Sequence, residues 1–227
     1  MTTANDARAD TELWLIRHGE SAGNAGGIFQ GQHEYPLSPR GREQAAAVAK
    51  RLAATSFAAL YCSDLDRAED TAAAIAGAVR LKPVVEPRLR EIDTGTWSGL
   101  TAPQIQARFP DEWASWMAKR DPAHRRGGGE SYVDVEARML AVIGEIAERH
   151  VGGRVLIVAH GGCLGAYVAH LMEIPLSALW RCALVNTAVT RVLPFAPPPP
   201  GMATHTGRLV TYNDTTHLTL ALTEHAT

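Results

Sequence analysis

The chain has 227 residues, 46% of them hydrophobic, with 22 lysines and arginines against 24 acidic residues and a formal net charge of −2. It is long enough to bury a full core, and its near-neutral balance gives no overall reason to expect nucleic acid or an anionic membrane as a partner. Cys62, Cys163 and Cys182 have no C-x-x-C spacing, which argues for thiols in a reducing cytoplasm, and neither a bilayer-spanning apolar run nor an N-terminal signal region is present.

Residues 1–11 carry no periodicity and read as a loose tail before a single domain over 12–227. Leu13 to Ile16 is an apolar strand that ends abruptly in Arg17-His18-Gly19. The stretch from Gly19 to Pro36 is a glycine-rich, polar loop, long enough to suggest a function of its own. Ser38-Pro39 reads as an N-cap and N1 proline, and Ala45, Val48, Ala49 and Leu52 recur at helical spacing, predicting a helix over 39–54. A strand over 57–62 leads to a helix capped by Ser63-Asp64, with Ala68, Ala72, Ile75, Ala76 and Val79 on its apolar face and Arg67 in its first turn.

Residues 82–85 predict another strand, before Leu89-Arg90-Glu91-Ile92 and a turn-rich run from Asp93 to Gly99. A helical segment over 102–119, broken at Pro110, carries Trp113 and Trp116, read as packing residues. Residues 125–131 form a loop, and 132–150 a helix with Val135, Met139, Val142, Ile143 and Ile146 on one face. A second apolar strand, Val155 to Ala159, ends in His160-Gly161-Gly162. A helix over 163–172, a strand over 183–193, a proline-rich excursion over 194–206, a strand over 208–213 and a polar tail complete the chain. Alternating strands and helices imply an α/β fold, a three-layer αβα sandwich whose mostly parallel sheet is covered on both faces. Residues 91–131 read as a helical cap inserted over the strand ends.

In open parallel sheets the ligand crevice lies beyond the carboxyl ends of the strands, so two strands ending side by side would place His18 and His160 in one pocket. Arg17 beside His18, and Arg67 at a helix start, would make that pocket an oxyanion cradle. It suits phosphate because each guanidinium can grip two oxygens in a fork. A histidine in such a cradle attacks phosphorus while its ring is neutral.

Arg17-His18-Gly19-Glu20-Ser21 with Asn24, Gly31-Gln32, Leu37-Ser38-x-x-Gly41, Ser63-Asp64-Leu65-x-Arg67-Ala68, Leu89-x-Glu91, Gly128-Gly129-Glu130-Ser131 and His160-Gly161-Gly162 occur in that order. Together they resemble the histidine phosphatase superfamily, the phosphoglycerate-mutase-like clan, from about residue 13 to 187. The resemblance implies that His18 is the nucleophile that becomes phosphorylated and that Glu91 is the proton donor and later the base. Arg17, Arg67 and His160 would bind the phosphoryl group with Asn24 assisting, and Gln30, Gly31, His33 and Gly161 would be further substrate contacts. Glu91, beside an apolar cap, is expected to have its pKa raised. Neither a cofactor nor a metal is called for.

Within that clan, Gly31-Gln32-His33 replaces the Gly-Trp familiar in mutases, and Gly128-Gly129-Glu130-Ser131 and Asn213-Asp214-Thr215-Thr216-His217-Leu218 are nearer the phosphatase branch. The expectation is a metal-independent phosphomonoesterase acting on small phosphorylated metabolites, with no nucleic-acid or membrane partner and a homodimer left open. A cofactor-dependent phosphoglycerate mutase is the alternative, followed by a non-catalytic phospho-ligand-binding module and a serine esterase. The esterase reading rests on Gly19-Glu20-Ser21-Ala22-Gly23, which matches the nucleophile elbow G-x-S-x-G but sits too early in the chain. Histidines 124, 150, 170, 205, 217 and 225 show no metal-ligand spacing and read as surface or packing residues. Arg125-Arg126 reads equally as a solvated charge pair or as the contact for a second anionic group.

Overall fold

Strand β1 (Glu12–Arg17) sends Leu13 and Leu15 to one face of a sheet and Trp14 and Ile16 to the other, as the two-residue period of a strand requires. The computed structural model describes residues 11–194 and 207–223. It adds β2 (Ile28–Phe29), β3 (Ala59–Cys62), β4 (Pro83–Val85), β5 (Leu100–Thr101), β6 (Arg154–Ala159), β7 (Val189–Pro194) and β8 (Gly207–Asp214). The main sheet has six strands in the order β4-β3-β6-β1-β7-β8, and β2 and β5 pair separately as a small antiparallel ribbon. Contacts from β4 through β1 are parallel, whereas β7 and β8 are antiparallel. In the β1–β6 register Arg17 lies opposite Ala159, so the residues after the two strands emerge together at one edge.

Helices α1 (Ala22–Ala25), α2 (Pro39–Leu52), α3 (Asp66–Val79), α4 (Ala102–Arg108), α5 (Pro110–Lys119), α6 (Tyr132–Arg149), α7 (Gly161–Leu171) and α8 (Leu220–Thr223) accompany the strands. On one face α2 and α3 lay Val48, Leu52, Ala68, Ala72 and Ile75 on Trp14, Ile16, Leu156 and Val158. On the other, α6 and α7 lay Met139, Val142, Ile143, Ile146, Leu164 and Val168 on Leu13, Leu15, Val155 and Ile157. This is the three-layer α/β arrangement expected. Burying each such aliphatic side chain stabilises by about 1.5–3 kcal/mol, so the strand ends are carried on a sheet packed on both faces.

Several boundaries differ from the sequence expectations, each for a local reason. Thr11 is not tail: it is buried, and its hydroxyl donates to the Ala147 and His150 carbonyls at 2.7 and 3.1 Å. Residues 1–10, and the proline-rich excursion beyond Pro194, lie outside the described residues. The 19–36 loop contains α1 and β2. Leu65, not Ser63-Asp64, occupies the N-cap of α3, because the Asp64 carboxylate is held by Arg90 at 2.7 and 2.8 Å. Helix α7 starts at Gly161, so the glycines after His160 form its first turn instead of a separate one. Strand β7 begins only at Val189, and the polar tail includes α8. Within 102–119, Pro110 separates α4 from α5, as expected.

Trp113 and Trp116 do pack. With Trp97 and Phe29 they form an aromatic cluster whose ring centroids are 5.3 to 6.4 Å apart. It ties β2, in the loop after His18, to the 91–131 segment. Trp97 is fully buried and donates its Nε1–H to Glu112 at 3.1 Å.

Candidate active site

The end of β1 is held by three hydrogen bonds that arrive from distant segments. Thr187 N–H donates to the Arg17 carbonyl (2.8 Å), Asn186 Nδ2 to the His18 carbonyl (2.8 Å), and Gly19 N–H to the Thr71 hydroxyl (3.0 Å). His18 is 2% exposed, with Nδ1 2.7 Å from the Gly19 carbonyl. A carbonyl only accepts, so Nδ1 carries the proton and the neutral ring keeps its lone pair on Nε2. Burial first, then the Arg67 and Arg17 charges, hold the His18 pKa well below the ordinary histidine value.

Arg67 projects from the first turn of α3, only 1% exposed, and donates from its two terminal nitrogens to the His33 and Gly31 carbonyls at 2.9 and 2.8 Å. Arg17 donates to the Leu184 carbonyl at 2.5 Å. His160 is wholly buried, its ring centroid 5.0 Å from that of His18, and burial, with the Arg67 and Arg17 charges adding to it, keeps its pKa well below the ordinary histidine value too. Among the described residues, buried nitrogens without a hydrogen-bond partner collect here: Nε of Arg17, Nε of Arg67, and both ring nitrogens of His160. Buried donors are normally satisfied, so the unpaired Nε groups of Arg17 and Arg67, which line one cavity, mark where an oxyanion fits, whereas His160 lies beside His18 without lining that cavity.

Glu91 lines the cavity that Trp116, Tyr132, Leu179 and Trp180 also line, but its carboxylate is met by backbone donors that the sequence did not reveal. Its carboxylate sits on the N-terminus of α7, accepting from the N–H groups of Gly162 and Cys163 at 3.0 Å each and of Ile92 at 2.9 Å. A Cβ on residue 162 would fall 2.5 Å from Glu91 Oε1, so only glycine admits the carboxylate there. Arg138 braces the segment from below: it donates to the Arg88 and Arg90 carbonyls at 2.7 and 2.9 Å and pairs with Glu130 at 2.9 Å.

Arg17, His18, Asn24, Gln30, Gly31, Arg67 and Glu91 line one cavity of about 180 Å³. The Asn24 amide oxygen accepts from the N–H and hydroxyl of Ser21, which leaves its Nδ2 donor for a ligand. His33 is brought in only through its carbonyl; its ring is exposed. Gly161 lines a neighbouring cavity of about 310 Å³ that shares Arg17, Glu91, Tyr132 and Gly162 with the first. Phe29, Thr94, Tyr132 and Gly162 also line the His18 cavity and were missed in the sequence. For Tyr132 the available signal was its place just after the Ser131 N-cap, which aims the start of α6 at the site. Ser21 is fully buried, caps α1 and donates to Gln30 at 2.7 Å, with no histidine among its partners. That removes the nucleophile-elbow reading. Among the described residues no group of three or more His, Cys, Asp or Glu is placed to hold a metal.

A family model for the histidine phosphatase superfamily, branch 1, matches residues 13–200. The chain belongs to this superfamily. This histidine phosphatase is 36% identical to a probable phosphoglycerate mutase, GpmB, of Yersinia enterocolitica, over 80% of this chain and 84% of the relative. It is also 36% identical to a metal-independent phosphoserine phosphatase of Arabidopsis thaliana, over 80% and 77% of the two chains. Among solved structures it resembles a mycobacterial glucosyl-3-phosphoglycerate phosphatase complexed with VO3, with TM-score 0.78, 33% identity, and 91% and 99% coverage. A phosphoserine phosphatase of Entamoeba histolytica in complex with 3-phosphoglyceric acid aligns with TM-score 0.79 and 27% identity, over 92% of this chain and 100% of that one.

Proposed function

We propose that this histidine phosphatase hydrolyses phosphomonoesters of small metabolites through a phosphohistidine at His18, without a metal. The supporting observation is the geometry of His18 itself, a neutral buried ring with its Nε2 lone pair available, beside His160 and in a cavity that Arg17, Arg67 and Glu91 also line. The Nε2 lone pair bonds to phosphorus as the P–O bond to the leaving alcohol breaks, and the Glu91 carboxyl gives that oxygen its proton. Water then attacks phosphorus and the N–P bond breaks; Glu91 takes the water's proton, phosphate departs, and His18 returns to its neutral state. Negative charge grows on the non-bridging oxygens during both transfers, and fixed guanidinium and imidazole donors stabilise it without reorganising.

Residues 91–131 act in this reading as a cap on a single domain, fastened to the loop after His18 by the aromatic cluster. Three unpaired thiols fit a cytoplasmic enzyme. The mutase alternative draws support from the name of the Yersinia relative. The deciding experiment is hydrolysis of p-nitrophenyl phosphate in the presence of a chelator. Turnover by the native chain and none by His18→Ala is expected; an inactive native chain across a phosphoester panel, or a strict need for 2,3-bisphosphoglycerate, overturns the phosphatase.

A further inference from the structure

The carbonyls of Arg17 and His18 are held by the Thr187 N–H and the Asn186 side-chain amide, and the segment supplying both donors is itself fastened from the C-terminal end of the chain. Asn213, near the end of β8, accepts the Val185 N–H at Oδ1, at 2.8 Å. His217, in the turn between β8 and α8, places Nε2 3.4 Å from the Thr187 hydroxyl oxygen. Its Nδ1 lies 3.2 Å from Nη1 of Arg51 on α2, whose other terminal nitrogen pairs with Asp214. A guanidinium only donates, so Nδ1 bears the lone pair and the proton sits on Nε2, which donates to Thr187. A second tie runs beside the first: Gln44 donates to the Leu222 carbonyl and accepts the Glu20 N–H, two residues after His18, at 2.9 Å each.

Thr187 is the strained joint of this connection. It is fully buried with φ +58°, a left-handed conformation that a β-branched residue rarely adopts. Such a backbone persists only where its surroundings over-determine it. In that conformation Asn186 and Thr187, adjacent in sequence, meet two successive carbonyls of the nucleophile turn. Attack on phosphorus needs Nε2 of His18 aligned with the breaking P–O bond, and a displacement of about 1 Å can cost about 10²-fold in rate.

We propose that His217 is a positioning residue for the nucleophile: its Nε2–H holds Thr187 in the left-handed conformation, and Thr187 with Asn186 fixes the Arg17-His18 backbone for attack. The proposal rests on the phosphatase reading above, in which His18 is the nucleophile. Its test compares His217→Phe, which keeps the ring and loses both nitrogens, with His217→Gln, whose carboxamide offers a donor and an acceptor. In folded His217→Phe, kcat on p-nitrophenyl phosphate should fall by about 10–100-fold with KM within about threefold of native, because Arg67 is held separately by the Gly31 and His33 carbonyls. His217→Gln should recover most of the loss. A ring that merely fills space would leave kcat native in His217→Phe; that result, or equal kcat in the two variants, overturns the proposal.

Amide hydrogen exchange reads the same contact without turnover. In His217→Phe the Thr187 N–H should exchange about tenfold faster or more while the β6 amides keep their native protection. Unchanged protection at Thr187, or an equal loss across β6, overturns the proposal. In the native chain, nitrogen-15 NMR should find the His217 proton on Nε2, and a proton on Nδ1 instead would overturn the assignment because Arg51 has nothing to accept it. If the native chain transfers no phosphoryl group, the phosphatase reading falls, and the exchange comparison still decides whether His217 holds the Arg17-His18 turn.

Discussion

The imidazoles of His18 and His160 face each other with centroids 5.0 Å apart and planes inclined by 59°, each neutral, one with its Nδ1 tied to the backbone and the other with both nitrogens unpaired. The asymmetry assigns them different tasks. On the proposed mechanism the tethered ring supplies Nε2 as the nucleophile and the unpaired ring binds the phosphoryl oxygens. His18→Ala should abolish phosphoryl transfer, whereas His160→Ala should lower kcat by about 10²–10³, the usual cost of one preorganised donor. Steady-state kinetics on p-nitrophenyl phosphate separate the two; equal residual rates would show that the rings are interchangeable.

Arg67 is the second test of the cradle. Its terminal nitrogens are fixed by the Gly31 and His33 carbonyls, so a lysine cannot reproduce the forked geometry. Arg67→Lys should cost about 10²-fold in kcat/KM and also lower the thermal midpoint, because the two carbonyls it holds lose a donor. A variant with near-native efficiency would remove Arg67 from the phosphate site.

Much of this arrangement was legible in the chain because particular residues announce themselves locally. Strands β1 and β6 are short apolar runs stopped by His-Gly, and Ser38-Pro39 marks the start of α2, where the Ser38 hydroxyl accepts from Gly41 N–H at 2.9 Å. What stayed hidden depends on contacts between distant residues. Asp64 looks like a cap but is taken by Arg90. The apolar run from Ala183 reads as strand, yet Leu184 and Asn186 are committed to holding Arg17 and His18. Nothing in the sequence separates Arg125 from Arg126, because their difference is made by Tyr132, Trp116 and Asp134.

Glu91 should show a dependence on the leaving group. With p-nitrophenolate, which departs without a proton, Glu91→Gln should spare the first transfer while slowing hydrolysis of the phosphoenzyme by about 10²–10⁴-fold, so a burst appears. With an alkyl phosphate no burst is expected, because both steps suffer. Equal slowing of both esters without a burst would show that Glu91 is not the base of the second step.

Acid should destabilise the fold before the carboxylates titrate. His18 and His160 are held neutral when folded, and burial brings His217 down to about 4, with Arg51 adding to the shift. The unfolded chain therefore binds more protons below the ordinary histidine value of about 6.5, and stability falls as pH drops through that point. Each ring that remains neutral costs up to about 2 kcal/mol by pH 5. Urea midpoints from pH 7 to 5 should decline steadily, and histidine ring resonances for residues 18 and 160 should not titrate near 6.5. A flat stability profile would contradict the neutral pair.

Ser21 should matter for the fold and not for the chemistry. Its hydroxyl caps α1, so Ser21→Ala should cost about 1 kcal/mol, and a fluorophosphonate should leave the native chain unlabelled. Stoichiometric labelling at Ser21 would revive the esterase.

The most direct measurement traps the intermediate. The native chain, quenched in base after mixing with ³²P-labelled phosphomonoester, should carry phosphate that is lost in acid, survives alkali and maps to the peptide containing His18. Label that is stable in acid, or acid-labile label on any other residue, would contradict a phosphohistidine at the end of β1.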